Sequence, residues 1–525
     1  MTSSNGVGHR QSIDDPFARL TRAPTHETPD ERSRRLEMEE MAARRNREIE
    51  DGLVETKKLM ERRRRAIKVL LLGQAESGKS TTLRNFQLTF APSQFHAERS
   101  AWRYVIQLNL VQSVRVILDV LNAEIDPATP LSPGLPHRAN SITPRLPLLA
   151  AAPSPTSSNQ HQHHQPLSGA RLTNEHRKLI LRLGALLAIE PLLQACIDPD
   201  YAARSVLAAS SPPPSSRIDG DNSPAGSIAY ALRAKASREI VVRPGAGWKR
   251  FTSAAKRFSK DKSVEAAEKE RVMDEPTAVL SACREDIIAL WNDDAVRDIL
   301  RRRGIDVEHM PGFFLNDAVR IATTNYEPTD DDILRARLRT LGVEEHHLKM
   351  ENHTSIIDST RDWIIYDVGG CRGNRDKWVP YFDDITAIIF LAPLLFTQTL
   401  AEAPTINRLE DTIALWKKIC ANPLLQRATI VLFLNKMDIL ERTLESGVKL
   451  SDYVPSYGVD APNDVKNVKK YFRNKLKAFQ KAFSPQPRYF YCHETSVIDS
   501  RSTSVILITV REGILHNNLV EANVL

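Results

Sequence analysis

The strongest constraint on the fold lies between Ile67 and Ser80. Ile67-Lys-Val-Leu-Leu-Leu-Gly73 is a short, nearly all-apolar run that leads into Gly73-Gln-Ala-Glu-Ser-Gly78-Lys79-Ser80, which satisfies G-x-x-x-x-G-K-[ST]. The residues after it, to about Phe90, read as a helix. A strand, a glycine-rich turn and a helix in that order leave backbone N–H groups pointing out of the turn, where they cradle phosphate oxygens at the helix N-terminus. In that setting Lys79 reaches the β/γ oxygens and Ser80 is a ligand for Mg²⁺. Farther on, Trp363-Ile-Ile-Tyr366, Ala387-Ile-Ile-Phe-Leu391 and Thr429-Ile-Val-Leu-Phe-Leu434 are continuous apolar runs separated by helical stretches. Strands of that kind predict an α/β fold with a mostly parallel sheet covered by helices on both faces.

The sheet-forming segments are interrupted by a long stretch of different texture. From Glu98 to Glu124, Trp102, Val105, Ile106, Leu108, Val111, Val114, Ile117, Leu118 and Leu121 recur at helical spacing. Glu175 to Ile197, Val279 to Leu300 and Met310 to Thr323 also read as helices. Between Pro127 and Gly169 lie nine prolines, with Ser-Pro and Thr-Pro pairs and His161-Gln-His-His164. A second such tract runs from about Asp200 to Glu275. Neither buries enough apolar area to offset its ordering entropy. Before the first strand, residues 1–30 are polar and unpatterned, and 31–65 form a charged, solvent-facing helix with a narrow stripe of Met38, Met41, Ala42, Ile49, Leu53 and Met60.

Composition narrows the class. A length of 525 residues allows several domain-sized pieces, and 72 Lys+Arg against 65 Asp+Glu leaves +7, too mild to argue for nucleic acid. Five cysteines, odd in number and without C-x-x-C spacing, suggest neither a disulfide framework nor a zinc knuckle, and fit a reducing cytosolic compartment. The longest apolar run, Ala387 to Phe396, is too short to span a bilayer. The start, Met1-Thr-Ser-Ser-Asn, carries no signal-peptide core and no Gly or Cys pattern for N-terminal lipidation.

Two further motifs fix the ligand. Asp367-Val-Gly-Gly370 follows a strand, where a carboxylate holds the Mg²⁺ hydration shell and a glycine N–H meets a γ-phosphate. Asn435-Lys-Met-Asp438 ends another strand, and a carboxylate there accepts both N1–H and the 2-amino group of guanine. Adenine offers the wrong pattern, which disfavours an ATP-dependent P-loop enzyme. Three motifs in this order at strand ends predict a GTP/GDP site.

The chain resembles the α subunits of heterotrimeric G proteins over about residues 31–125, 171–199 and 276–525. The helical insertion between the phosphate loop and Asp367 carries the resemblance. So do Ala101-Trp-Arg-Tyr-Val-Ile-Gln-Leu-Asn-Leu, Phe314-Leu-Asn-Asp-Ala-Val-Arg-Ile, Asn325-Tyr-Glu-Pro-Thr and Asp332-Ile-Leu-Arg-Ala-Arg-Leu-Arg-Thr-Leu-Gly342. The resemblance implies a Ras-like P-loop GTPase domain (66–94 and 340–525) split by an all-α helical domain with its linkers (95–126, 170–199 and 276–339). The insertions at 127–169 and 200–275 fall within that helical domain. It makes Arg337 the built-in arginine finger, Glu76 its partner and Thr340 a second Mg²⁺ ligand beside Ser80, with Asp367 acting through water. The implied nucleotide contacts run through Gly73, Glu76, Ser77, Gly78, Lys79, Ser80 and Thr81, then Leu334, Arg335, Arg337 and Thr340. They continue through Asp367, Val368, Gly369, Gly370 and Cys371 to Asn435, Lys436 stacked on guanine, Asp438, and the backbone N–H of Val497.

The sequence also departs from the family. Cys371 stands where the family has the glutamine that orients the attacking water, and a thiol is a shorter, poorer donor and acceptor than an amide. Ala75 replaces a phosphate-loop glycine, and Ile498 replaces a threonine of the base-contacting loop. Slow hydrolysis is the expectation, with a GTP-loaded scaffold as the alternative. Ala522 stands where some relatives carry a cysteine modified by pertussis toxin. As partners the resemblance implies a βγ dimer, met by helix 31–65 and by Arg372, Lys377 and Trp378. It also implies a seven-helix receptor, met by a C-terminal helix at about Thr503 to Val520, and an effector of unknown identity. Trp248, Phe251, Ala255 and Phe258 recur among Lys249, Arg250, Lys256, Arg257, Lys260 and Lys262, making residues 247–262 a candidate contact with an anionic membrane surface. The implied location is cytoplasmic, peripheral at the inner face of the plasma membrane.

Overall fold

The computed structural model describes residues 28–125, 172–197, 241–242, 275–308, 310–340, 342–351, 362–496 and 500–521. The two proline-rich tracts apart from 241–242, residues 1–27, the run 247–262, Val497, Ile498 and Ala522 lie outside the described residues.

Residues up to Arg65 form one compact unit and Ala66 onward another. In the first, helix α1 (Pro29–Arg65) buries no residue. Local interactions hold it. Thr28 and Glu31 make a reciprocal capping box, Thr28 N donating to Glu31 Oε2 at 3.0 Å and Glu31 N to Thr28 Oγ1 at 3.4 Å. Arg35–Glu39 and Arg44–Glu40 pair one turn apart, and Arg62 to Arg65 meet the negative end of the helix dipole. Leu36, Met41, Leu53, Leu59 and Met60 are all exposed.

The second unit is built on a six-stranded sheet. In chain order its strands are β1 (Ile67–Gly73), β2 (Val343–Leu348), β3 (Trp363–Val368), β4 (Ala387–Pro393), β5 (Thr429–Asn435) and β6 (Phe490–Glu494), and across the sheet they run β6-β5-β4-β1-β3-β2. Every pairing is parallel except that of β2 with β3. Along β1 the side chains alternate between two cores. Ile67, Val69 and Leu71 pack with Phe86 and Phe90 of α2 (Lys79–Phe90) and with Leu507 and Val510 near the chain end. Leu70 and Leu72 join Trp416 of α6 (Arg408–Ala421), Leu440 of α7 (Met437–Glu445), and Phe472 and Leu476 of α8 (Val465–Phe483) on the other face. β1 lies between β3 and β4, where the chain order of the strands reverses, and such switch points open a crevice at the carboxyl ends of the strands.

A third core holds the helical segment. Helices α3 (Arg99–Ile125) and α4 (Asn174–Ile197) are long and apolar enough to cross a membrane, yet both contribute to this core through residues such as Val105, Leu118, Leu183 and Leu193. Residues 275–282, Arg284–Asn292 and Asp294–Arg302 complete it, followed by Ala318–Ile321 and α5 (Asp330–Arg335).

Two expectations need correction. Val279 to Leu300 is not one helix: it is interrupted at Cys283 and again at Asp293, whose carboxylate accepts from Val296 N at 3.0 Å and starts a new helix. Met310 to Phe314 is not helical either, because Gly312 adopts φ +79° and turns the chain toward Arg337. The second tract also contributes a short strand, Val241–Val242, which pairs in parallel with Arg339–Thr340.

Candidate nucleotide site

The phosphate loop follows from its glycines. Gly73 adopts φ +147°, and a Cβ there would lie 2.7 Å from Leu391 O and from Ser77 Oγ. Gly78 adopts φ +101° at the start of α2. Lys79 is folded back under the loop, its Nζ donating to Gly73 O at 3.0 Å and Gln74 O at 2.6 Å. Burial lowers its pKa to about 8, with Asp367 opposing the shift. From β5, Asn435 Nδ2 donates to Ser77 O at 2.7 Å, so the Asn435–Asp438 motif also braces the phosphate loop.

At the end of β3, three oxygen-bearing side chains converge. Asp367 Oδ2 accepts from Ser80 Oγ at 2.5 Å and from Thr340 Oγ1 at 3.0 Å, and the two hydroxyls are 3.3 Å apart. The other carboxylate oxygen, Asp367 Oδ1, is buried without a hydrogen-bond partner. Gly369 N donates to Gly342 O at 2.7 Å, and Gly370 packs so closely that a Cβ would sit 2.2 Å from Gln74 C. Only glycine fits there.

The linker after α5 brings Arg337 to the loop. Its guanidinium pairs with Glu76 at 2.8 Å, and Arg408 holds the other Glu76 oxygen at 2.9 Å. Asn109 on α3 grips the Arg337 backbone from both sides, accepting from its N–H at 2.7 Å and donating to its carbonyl at 3.1 Å. Arg84 on α2 donates to the carbonyls of Ile333, Leu334 and Ala336 and stacks 4.7 Å over Trp102. These contacts fix the reach of Arg337.

A cavity of about 570 Å³ lies between these parts. Its walls include Ala75, Glu76, Ser77, Gly78, Lys79, Ser80, Thr81, Leu334, Arg335, Arg337, Thr340, Val368, Gly369, Gly370, Cys371, Asn435, Lys436 and Asp438. Gly73 and Asp367 are not among the lining residues, and Asp367 is hydrogen-bonded to Ser80 and Thr340, which are. Beyond the carboxyl end of β5, Lys436 adopts φ +60°, burial lowers its pKa to about 8, and Asp438 accepts from Ser496 Oγ at 2.9 Å. Val497 follows directly, outside the described residues.

The structure adds residues that the motifs did not single out: Arg84, Asn109, Arg408 and Ser496. The hint for Asn109 was a polar side chain within an apolar helix. Arg84 and Arg408 gave none, since their partners lie on segments far away in sequence. Trp378 is corrected: it is 2% exposed and its indole N–H donates to Gly369 O at 3.1 Å, so it anchors the segment, while Arg372, Lys377 and Val379 remain at the surface.

A family model of the G-protein alpha subunit matches residues 43–514. The guanine nucleotide-binding protein alpha-4 subunit of Mycosarcoma maydis is 32% identical over 578 aligned positions, covering 99% of this chain and 97% of that protein. With its Ras-like sheet, helical segment and phosphate loop, the chain belongs to the G-protein alpha subunit family, a family of GTP-binding GTPases in signal transduction.

Proposed function

We propose that this chain couples a seven-helix receptor and a βγ dimer to an effector by exchanging GDP for GTP, and that it hydrolyses GTP slowly. The observation that carries the reading is the Arg337–Glu76 pair at the mouth of the phosphate loop, beside Ser80, Thr340 and Asp367. Lys79 and the backbone N–H groups from Glu76 to Thr81 bind the phosphates. Leaving Glu76, Arg337 neutralises the charge that develops on the γ-phosphoryl group. Asp438 reads guanine, Lys436 covers its face, and the N–H of Val497 meets the base oxygen.

Mg²⁺ suits this donor set, because hard cations take oxygen ligands and the orphaned Asp367 Oδ1 is ready to hold a metal-bound water. When bound, the ion would supply positive charge that offsets that of the phosphates. Ser80 and Thr340 would hold it directly.

Cys371 lines the cavity beside Ala75 and Gly370, where a thiol orients water less well than a carboxamide. Misplacement on the order of 1 Å costs about 10²-fold in rate. Helix α1 contacts βγ, as do Arg372 and Lys377 of the second unit, and α9 (Ser500–Glu521) faces the receptor. Residues 247–262 give a peripheral contact with the inner face of the plasma membrane.

Single-turnover hydrolysis of preloaded GTP tests the reading. Slow turnover that falls in Arg337→Ala and rises in Cys371→Gln supports a damped switch. Fast native turnover overturns the assignment of Cys371. Tight GTP binding with no turnover in any of the three favours the GTP-loaded scaffold.

A further inference from the structure

Helix α8 (Val465–Phe483) carries Lys466, Lys469, Lys470, Arg473, Lys475, Lys477 and Lys481 and no acidic residue. Its buried side, Val468, Phe472 and Leu476, packs into the sheet core. On the solvent side, Lys466, Lys470, Arg473, Lys477 and Lys481 are all exposed. Their spacing of three and four residues puts them in one row, spanning about 22 Å of helix at the usual rise.

Among the described residues the row has no charged counterpart. Lys469, off the row, pairs with Glu494 at 2.6 Å, and Lys475 turns to Ser456 and Tyr471. Arg473 donates to Cys492 O at 3.1 Å, leaving its charge uncompensated. Among the described residues, the other four cations of the row make no ion pair. Asp464, just before the helix, is engaged in capping Asn467 N at 2.9 Å. Like charges three and four residues apart destabilise a helix, so folding alone does not account for the row.

The row ends at an exposed apolar tip. Phe483 is 42% exposed, with Lys417 Nζ 5.6 Å from its ring centroid. The turn after α8 is tied to the one before β5 by Arg488, which donates to Leu425 O at 2.5 Å and Cys420 O at 2.6 Å. Leu424 on that turn is 57% exposed, and Tyr489, leading into β6, is 44% exposed. This is the sheet end where β5 and β6 begin, opposite the carboxyl ends that carry Asn435 and the nucleotide cavity.

We propose that the α8 cation row and the Phe483–Leu424–Tyr489 tip form a docking surface for an anionic phospholipid membrane. Cations reach the headgroups while aromatic and aliphatic side chains enter the interface, the division of labour of peripheral membrane helices. An acidic polypeptide would use the cations but gives no reason for an apolar tip beside them. The surface includes none of residues 247–262 and does not depend on the nucleotide reading.

Co-sedimentation of the full-length, GDP-loaded protein with vesicles of phosphatidylcholine, alone or mixed with phosphatidylserine, tests the proposal. Three variants accompany the native chain: Lys470→Gln with Lys477→Gln, Phe483→Ser with Leu424→Ser, and one with the cations of 247–262 changed to Gln. Circular dichroism and GDP binding establish that each is folded. We expect binding only to the anionic vesicles, falling about fivefold for each row cation removed, and falling also in the tip variant. Loss confined to the 247–262 variant, with the α8 variants binding as the native chain does, overturns the α8 surface and leaves the segment 247–262 as the membrane contact. Retention on immobilised polyglutamate that is indifferent to the tip, without vesicle binding, makes the occupant an acidic protein and also overturns the proposal.

Discussion

Gln74 Nε2 donates to Asp411 Oδ2 at 2.6 Å, joining the phosphate loop to helix α6 (Arg408–Ala421) beneath the nucleotide cavity. The same amide donates to Arg408 O at 2.7 Å, and Asp411 in turn holds Arg375 with contacts of 3.0 and 2.6 Å. Burial works against the Asp411 carboxylate, but Arg375 and Gln74 outweigh it and keep its pKa below the usual carboxylate range. Loop, helix and the segment Arg372–Tyr381 are thereby tied at one buried carboxylate.

Gln74→Ala should loosen that tie while leaving the cavity lining intact. Loss of the buried hydrogen bonds should cost about 1–3 kcal/mol in chemical denaturation. Amide exchange across Arg372–Tyr381 should quicken with it. Unchanged exchange there would mean that Arg375 and Trp378 hold the segment unaided.

Asn109 holds both backbone groups of Arg337, so its loss should act on the guanidinium without touching nucleotide. For Asn109→Ala we expect single-turnover GTP hydrolysis to fall about tenfold or more, with GDP affinity nearly unchanged, since a finger that wanders no longer meets the transition state. Equal loss in rate and affinity would instead mark Asn109 as a packing residue.

Arg84 is charged, buried and bound to three carbonyls of the linker. Arg84→Met keeps much of the volume but orphans those carbonyls, at about 3 kcal/mol. GDP release should accelerate because Leu334 and Arg335 line the cavity on the same linker. Stopped-flow release of a fluorescent GDP analogue measures it, and an unaltered rate would detach the linker from nucleotide retention.

What the sequence disclosed follows from contiguity. β1, β3, β4 and β5 are buried on both faces and read as apolar runs, whereas the edge strand β2, Val-Glu-Glu-His-His-Leu, has no such pattern. Its polar residues pair locally, His347 with Glu345 at 2.7 Å and His346 with Glu344 at 3.5 Å. The phosphate loop and Asn435–Asp438 are short motifs whose chemistry is written in consecutive residues. Arg84, Asn109 and Arg408 act on partners that tertiary folding brings to them; nothing local marks the two arginines, and Asn109 is marked only by its polarity within an apolar helix. The break at Asp293 was hidden because the apolar spacing continues across it while one carboxylate restarts the helix.

The depressed pKa of Lys79 gives a pH test with a definite sign. In the unfolded chain the amine titrates near 10.5, and in the folded, nucleotide-free protein at about 8, because burial disfavours the ammonium. The unfolded state therefore binds more protons between those values, so the stability of the nucleotide-free protein should gain from this group as pH rises through that window. GDP reverses the balance. Its phosphates favour the ammonium, so binding above about pH 8 should draw a proton onto Lys79 and GDP affinity should fall as pH climbs. Calorimetric titration in two buffers of different ionisation enthalpy reads this proton directly: little uptake at neutral pH and clear uptake above the Lys79 value. Lys436 shares the same shift from burial, but guanine brings no charge to restore its proton. Lys436→Gln should therefore leave the uptake in place, and loss of uptake in that variant would move the linkage from the phosphate end of the cavity to the base end.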